Sequence, residues 1–74
     1  MENWWIYIID REGRLYTGIT TDLENRMRQH GRSAPLYREG PISRALAVKR
    51  ERELKGWNRK KKKELIAKAS EQIK

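Results

Sequence analysis

The sequence predicts a small α/β domain of the α+β type: a β-sheet opened by an N-terminal hairpin and covered by about three helices, in the order β-β-α-β-α-α. Three observations predict it. Two β-rich runs flank a glycine turn near the N-terminus. Three later segments place apolar residues at helical spacing. With 74 residues, the chain has room for one domain spanning 1–74.

Trp4 to Ile9 is the first strand, rich in Trp, Ile and Tyr and bounded by polar Asn3 and Asp10. Arg11-Glu12-Gly13 reads as a turn, with Gly13 free to take positive φ. Arg14 to Thr20 returns, with Leu15, Thr17 and Ile19 on one face and Tyr16 and Gly18 on the other. A first helix starts at Thr21-Asp22-Leu23-Glu24, where Thr21 and Glu24 have capping-box spacing. It runs to about His30 and stops at Gly31, with Leu23 and Met27 as a short core stripe.

Ala34 to Arg38 reads as a short strand that Pro35 confines to an edge or a strand start. Gly40-Pro41 reads as a turn. Ser43 caps a second helix through about Lys55, with Leu46, Ala47, Arg50 and Leu54 on one face. Gly56 ends it. Asn58 caps a third helix carrying Leu65, Ile66, Ala69 and Ile73, and the tail after about Ser70 is expected to fray.

The chain has no cysteine, which excludes disulfides and thiolate zinc sites. No apolar run approaches the roughly 20 residues that cross a membrane. The start, Met1-Glu2-Asn3, lacks the basic region of a signal peptide, so a cytoplasmic location is expected. Eighteen Lys and Arg against ten Asp and Glu give a net charge of +8, which favours a phosphate polyanion as partner.

The chemistry-bearing residues are scattered but patterned. Tyr7 and Tyr16 fall on adjacent antiparallel strands, where paired tyrosines are ordinarily packing residues. Arg26 and His30 are four apart and share a helix face. Arginine clamps phosphate; histidine moves protons near neutral pH. A lone histidine at a helix end is also a common partner of the dipole. Glu51, four after Ala47 and three before Leu54, lies at the edge of an apolar face. It is either an ion-pair hub among Lys49, Arg50, Arg52 and Lys55 or the one protein ligand of a hydrated Mg²⁺.

Trp5-Ile6-Tyr7 and Tyr16-Thr17-Gly18, followed by Arg26, His30 and the segment Ala45 to Trp57, resemble the motifs of the GIY-YIG nuclease superfamily. The resemblance spans roughly residues 4–66 and is closest to the small stand-alone YhbQ-like branch. Trp5 stands where the motif has glycine. The resemblance implies a Mg²⁺- or Mn²⁺-dependent endonuclease that hydrolyses DNA by in-line attack of water, leaving a 3′-hydroxyl and a 5′-phosphate. By position, Tyr7 and Tyr16 become the motif tyrosines, Arg26 the phosphate clamp, His30 the proton-transfer helper and Glu51 the metal ligand. An ordinary tyrosine has a pKa near 10. Arg26 and a metal are expected to lower it, favouring mildly alkaline pH.

Two departures bear on substrate. Many family members carry an asparagine after the glutamate helix, whereas capping accounts for Asn58 here. The stretch from Gly31 to Ser43 is shorter than usual.

Lys49, Arg52, Lys55, Arg59, Lys60 and Lys61 concentrate charge beside Glu51 and are expected to track a nucleic-acid backbone. Tyr37 and Trp57 are candidates to stack on unpaired bases, although Trp57 also suits packing between helices. With no major-groove reading helix, single-stranded or branched DNA without strong sequence specificity is the expected substrate, RNA not excluded. The alternatives are a non-catalytic nucleic-acid-binding module on the same fold, and a basic adaptor for an acidic protein.

Overall fold

The N-terminal hairpin forms because two β-rich runs meet across a two-residue turn. In the computed structural model, which describes residues 3–71, β1 is Trp4–Arg11 and β2 is Arg14–Thr20. Glu12 and Gly13 alone make the turn, at φ 52° and 84°, and the Gly13 amide donates to Asp10 Oδ1 at 2.9 Å. Positive φ at both central residues matches the twist of the strands. β1 therefore runs two residues beyond the expected Ile9.

The remaining elements are α1 (Leu23–Gln29), β3 (Tyr37–Ile42), α2 (Arg44–Lys55) and α3 (Arg59–Glu71). The order β-β-α-β-α-α is the expected one. The sheet is antiparallel with strand order β2-β1-β3.

As the central strand, β1 is apolar on both faces. Ile6, Tyr7, Ile8 and Ile9 are all buried. Ile6 and Ile8 pack with Ala47 and Leu54 of α2, joined by Leu15, Ile19, Trp57, Leu65 and Ile66. Tyr7 and Ile9 pack on the other face against Met27 and Leu23 of α1. One strand thus anchors two layers of helix.

Four local expectations need correction. Asp22, rather than Thr21, is the N-cap of α1, and its side chain accepts from the Asn25 amide. Asp is as good a cap as Thr or better, and Thr20 Oγ1 meanwhile accepts from the Asp22 amide. β3 is not Ala34–Arg38 but Tyr37–Ile42, because the chain first meets the sheet where the Leu36 amide donates to the Ile8 carbonyl. Gly40-Pro41 is consequently strand rather than turn. It sits at an edge, beside a register shift between Trp4 and Ile6. Gly40 is required there: its φ is +133° and a Cβ would lie 2.6 Å from the Trp4 carbonyl oxygen. Leu46, expected on the core face of α2, is exposed.

Ser43 and Asn58 cap α2 and α3 as expected, accepting from Leu46 and Lys61 amides. Ile73 and the end of the tail lie outside the described residues.

Candidate active site

Strand register brings the two tyrosines together. Tyr7 pairs with Gly18 and Ile9 with Tyr16, so Tyr7 and Tyr16 are diagonal neighbours on one face of the sheet. Their ring centroids are 6.3 Å apart. α1 crosses this face and ends at His30, whose ring lies 5.9 Å from Tyr7 and 6.0 Å from Tyr16. The Tyr7 hydroxyl and His30 Nε2 are 3.3 Å apart and share a hydrogen bond. Three side chains from three elements form one triangle.

Gly18 makes the triangle possible. The Tyr7 ring lies against its bare Cα, and a Cβ there would stand 2.6 Å from the Tyr7 hydroxyl oxygen. Sequence reasoning placed Gly18 on the tyrosine face without seeing that the Tyr7 ring needs its hydrogen. Tyr7 is buried, whereas Tyr16 is 38% exposed. The first forms the floor of the site and the second its wall.

The electrostatics are cationic at the rim. Burial raises the Tyr7 phenol above the ordinary 10.0; neighbouring Tyr16 and the Glu51 carboxylate push the same way, and Arg26 and Arg11 oppose. Arg26 by itself does not lower the Tyr7 phenol, because loss of hydration outweighs it. Burial lowers His30 below 6.5, and Arg11, Arg26 and Arg32 lower it further. At neutral pH the site holds a protonated phenol against a neutral imidazole.

Arg26 is exposed on α1, four residues before His30, and acts on both Tyr7 and His30. Arg11 and Arg32 join it, and neither was singled out from sequence. Arg11 sits at the end of β1 with its guanidinium carbon 5.2 Å from the Tyr16 ring centroid. Arg32 follows α1, and its buried Nε has no hydrogen-bond partner. None of these three arginines pairs with a carboxylate among the described residues. The signal for Arg11 was its register position, opposite Arg14 and beyond the tyrosine pair. A cavity of about 310 Å³ opens beside Tyr16, lined also by Arg11, Glu12, Arg14 and Leu15.

Glu51, on α2, reaches this site as a field, since it disfavours ionisation of Tyr7. Its side chain is 19% exposed and pairs with Lys55 Nζ at 3.4 Å. Among the described residues no three His, Cys, Asp or Glu side chains gather to cage a metal. A lone, partly buried carboxylate still fits a Mg²⁺-like ion, which keeps most of its waters.

The remaining basic residues are exposed but divided in their contacts. Lys49, Arg52 and Lys60 face solvent. Arg59 donates to the Gly13 carbonyl, tying the start of α3 to the hairpin turn. Lys61 lies with its Nζ 4.3 Å from the Trp57 ring centroid, and Arg50 approaches the same ring at 5.3 Å. Trp57 is half-buried against the core, so it packs rather than offering a free stacking face. Tyr37 is likewise engaged: its hydroxyl donates to Glu39 at 2.5 Å, and it packs against the core.

Comparison with known proteins agrees with this geometry. A model of the GIY-YIG catalytic domain matches residues 3–39, a span that includes Tyr7, Tyr16, Arg26 and His30. UPF0213 protein YhbQ of Escherichia fergusonii is 35% identical over 95% of this chain and 83% of the relative. A UPF0213 protein of Cronobacter sakazakii is 36% identical over 90% of this chain and 84% of the relative. YhbQ of Escherichia coli O139:H28 is 34% identical, with 95% and 83% covered. No solved structure matches. A tyrosine pair on a hairpin, a histidine four residues after an arginine, and relatives aligned over most of their length lead to one conclusion: the chain belongs to the GIY-YIG nuclease superfamily, among the UPF0213 proteins.

Proposed function

We propose that the chain is a metal-dependent endonuclease that hydrolyses phosphodiesters of single-stranded or branched DNA without strong sequence specificity. The observation that carries this is the Tyr7–His30 hydrogen bond at 3.3 Å, with Tyr16 closing the triangle under three arginines.

The protonation states suit a relay. As water attacks phosphorus, its proton passes to the Tyr7 oxygen while the Tyr7 proton passes to His30 Nε2. A phenol that stays protonated and an imidazole that stays neutral are the forms this transfer needs. The new bond joins the water oxygen to phosphorus; the bond to the 3′ oxygen breaks, that oxygen takes a proton from solvent, and His30 returns its extra proton to solvent. Tyr16, exposed beside the relay, orients the phosphate. Arg26 neutralises charge on the equatorial oxygens, and Arg11, over the Tyr16 ring, adds to the same field. Glu51 would hold a hydrated Mg²⁺ or Mn²⁺, whose chemistry is to stabilise charge on the leaving oxygen. The rest of the basic surface, Lys49, Arg52, Lys55, Lys60 and Lys61, would track the backbone.

Labelled oligonucleotides incubated with Mn²⁺ test this. Cleavage by the wild-type protein and none by Tyr7→Phe or Glu51→Ala supports it; equal cleavage by all three sinks it. The Lys55–Glu51 ion pair favours a second reading, a non-catalytic nucleic-acid-binding module, because it already neutralises the carboxylate. Tight binding with no cleavage by any form would select that reading.

A further inference from the structure

Trp5 occupies the position at which the family motif carries glycine, and the structure shows what the ring does. It forms one wall of a cavity of about 340 Å³ between α1 and the segment leading into β3. Leu23, Met27 and Pro35 make the apolar sides, and Glu24 and Arg38 stand at the exposed rim. This volume is near the lower end of ligand clefts, which run from about 300 to 1,000 Å³. It suits one small planar group.

The cavity adjoins the candidate active site. Trp5 and Tyr7 are two apart on β1 and share its α1 face, roughly 7 Å apart along the strand. Arg38 pairs with Tyr7 in the β1–β3 register. Its guanidinium carbon lies 5.6 Å from the Trp5 ring centroid, and it has no carboxylate partner among the described residues. An aromatic ring with an arginine beside it is the usual platform for an unpaired base and its phosphate. Nothing in the tyrosine–histidine chemistry uses either residue.

We propose that this cavity binds a single unpaired nucleobase bearing an exocyclic amino group, adjacent to the phosphate held at the tyrosine pair. Trp5 stacks on the base, and Arg38 meets its phosphate. Glu24 sets the choice of base, because a carboxylate accepts hydrogen bonds and donates none. At C4 cytosine offers an amino group where uracil offers a carbonyl, so a carboxylate facing that edge accepts a hydrogen bond from cytosine and meets another acceptor in uracil. The proposal rests on the reading of the chain as a protein of single-stranded nucleic acid, and its test is separated from catalysis.

Fluorescence anisotropy of labelled oligo(dC) and oligo(dU), in EDTA at fixed salt, measures binding alone. The wild-type protein is expected to prefer oligo(dC) by about fivefold, the equivalent of one modest base contact. Glu24→Gln, at an exposed position, should level the two. Ala34→Trp, which fills the cavity from its exposed lining, should weaken oligo(dC) to the oligo(dU) value. Equal binding of both oligomers by the wild-type protein overturns the proposal. So does a retained preference in Glu24→Gln, or wild-type binding by Ala34→Trp with an unchanged melting temperature. Cleavage is scored separately with Mn²⁺. Selective binding without cleavage sinks the nuclease reading and supports the pocket; cleavage with no difference between the oligomers does the reverse.

Discussion

Gly18 and His30 each turn a small local fact into chemistry. A methyl group at Gly18 collides with the Tyr7 hydroxyl, and that hydroxyl is held by the His30 ring rather than by a flexible chain. Gly18→Ala should therefore tilt Tyr7 off His30, abolish the proposed cleavage and cost about 1–3 kcal/mol of stability. Thermal melts and oligonucleotide cleavage, run in parallel, check both.

The pH dependence follows from His30. The proposed relay needs a neutral imidazole, and burial lowers the His30 pKa from 6.5. Activity should hold down to pH 6.5 and fall on further acidification, as His30 takes up its proton. Tyr7, raised from 10.0, adds no loss near neutrality because the relay uses its protonated form. A pH–rate profile whose acid limb has its midpoint above 6.5 would contradict this assignment.

Arg11 shows where residue-level reading ran out. It looked like a turn residue, and only the two-residue turn, which extends β1, carries it beside the Tyr16 ring. That Tyr7 and Tyr16 share a sheet face, and Arg26 and His30 a helix face, was legible because alternation and helical spacing are local, whereas the roles proposed for them came from the family resemblance.

At the level of elements, the hairpin, α2 and α3 were readable because their signals are local: alternation, a serine cap, apolar residues at helical steps. β3 was not. Its place depends on which residues meet Trp4 to Ile8 across space, and a proline in that run argued for a turn.

What holds β3 to α2 is a polar cluster. Arg50 Nε donates to both Glu39 oxygens at 3.0 Å, and Arg50 Nη2 lies 2.9 Å from Glu39 Oε2. Burial and the hydrogen bond to Glu39 push the Tyr37 phenol up to about 12, so it remains a donor at any ordinary pH. Glu39→Gln should leave Arg50 without its counter-charge and lower stability by about 1–3 kcal/mol, measured by denaturant unfolding. Leu54→Ala, which empties a fully buried site between α2 and the sheet, should cost about 2–5 kcal/mol by the same measurement.

For the whole molecule, charge and topology act together. A net charge of +8 draws nucleic acid to the surface, while the sheet sets which face carries the tyrosines. Among the described residues no helix is long and apolar enough to cross a membrane. If Lys60 and Lys61 each contact a phosphate, replacing either by alanine should reduce the slope of log binding constant against log salt by about one. Titration of oligonucleotide binding across salt concentrations reads this directly.

Pro41 in β3 has a bearing on how copies of the molecule treat one another. β3 is an outer strand of the sheet, and an outer strand with an unbroken row of amide donors is a template for another chain. Proline carries no amide donor, and Pro41 lies in this outer strand, where proline is one of the residues that blunt such a template. Pro41→Val adds an amide to the strand, and light scattering of concentrated samples should show more self-association for the variant than for the natural chain.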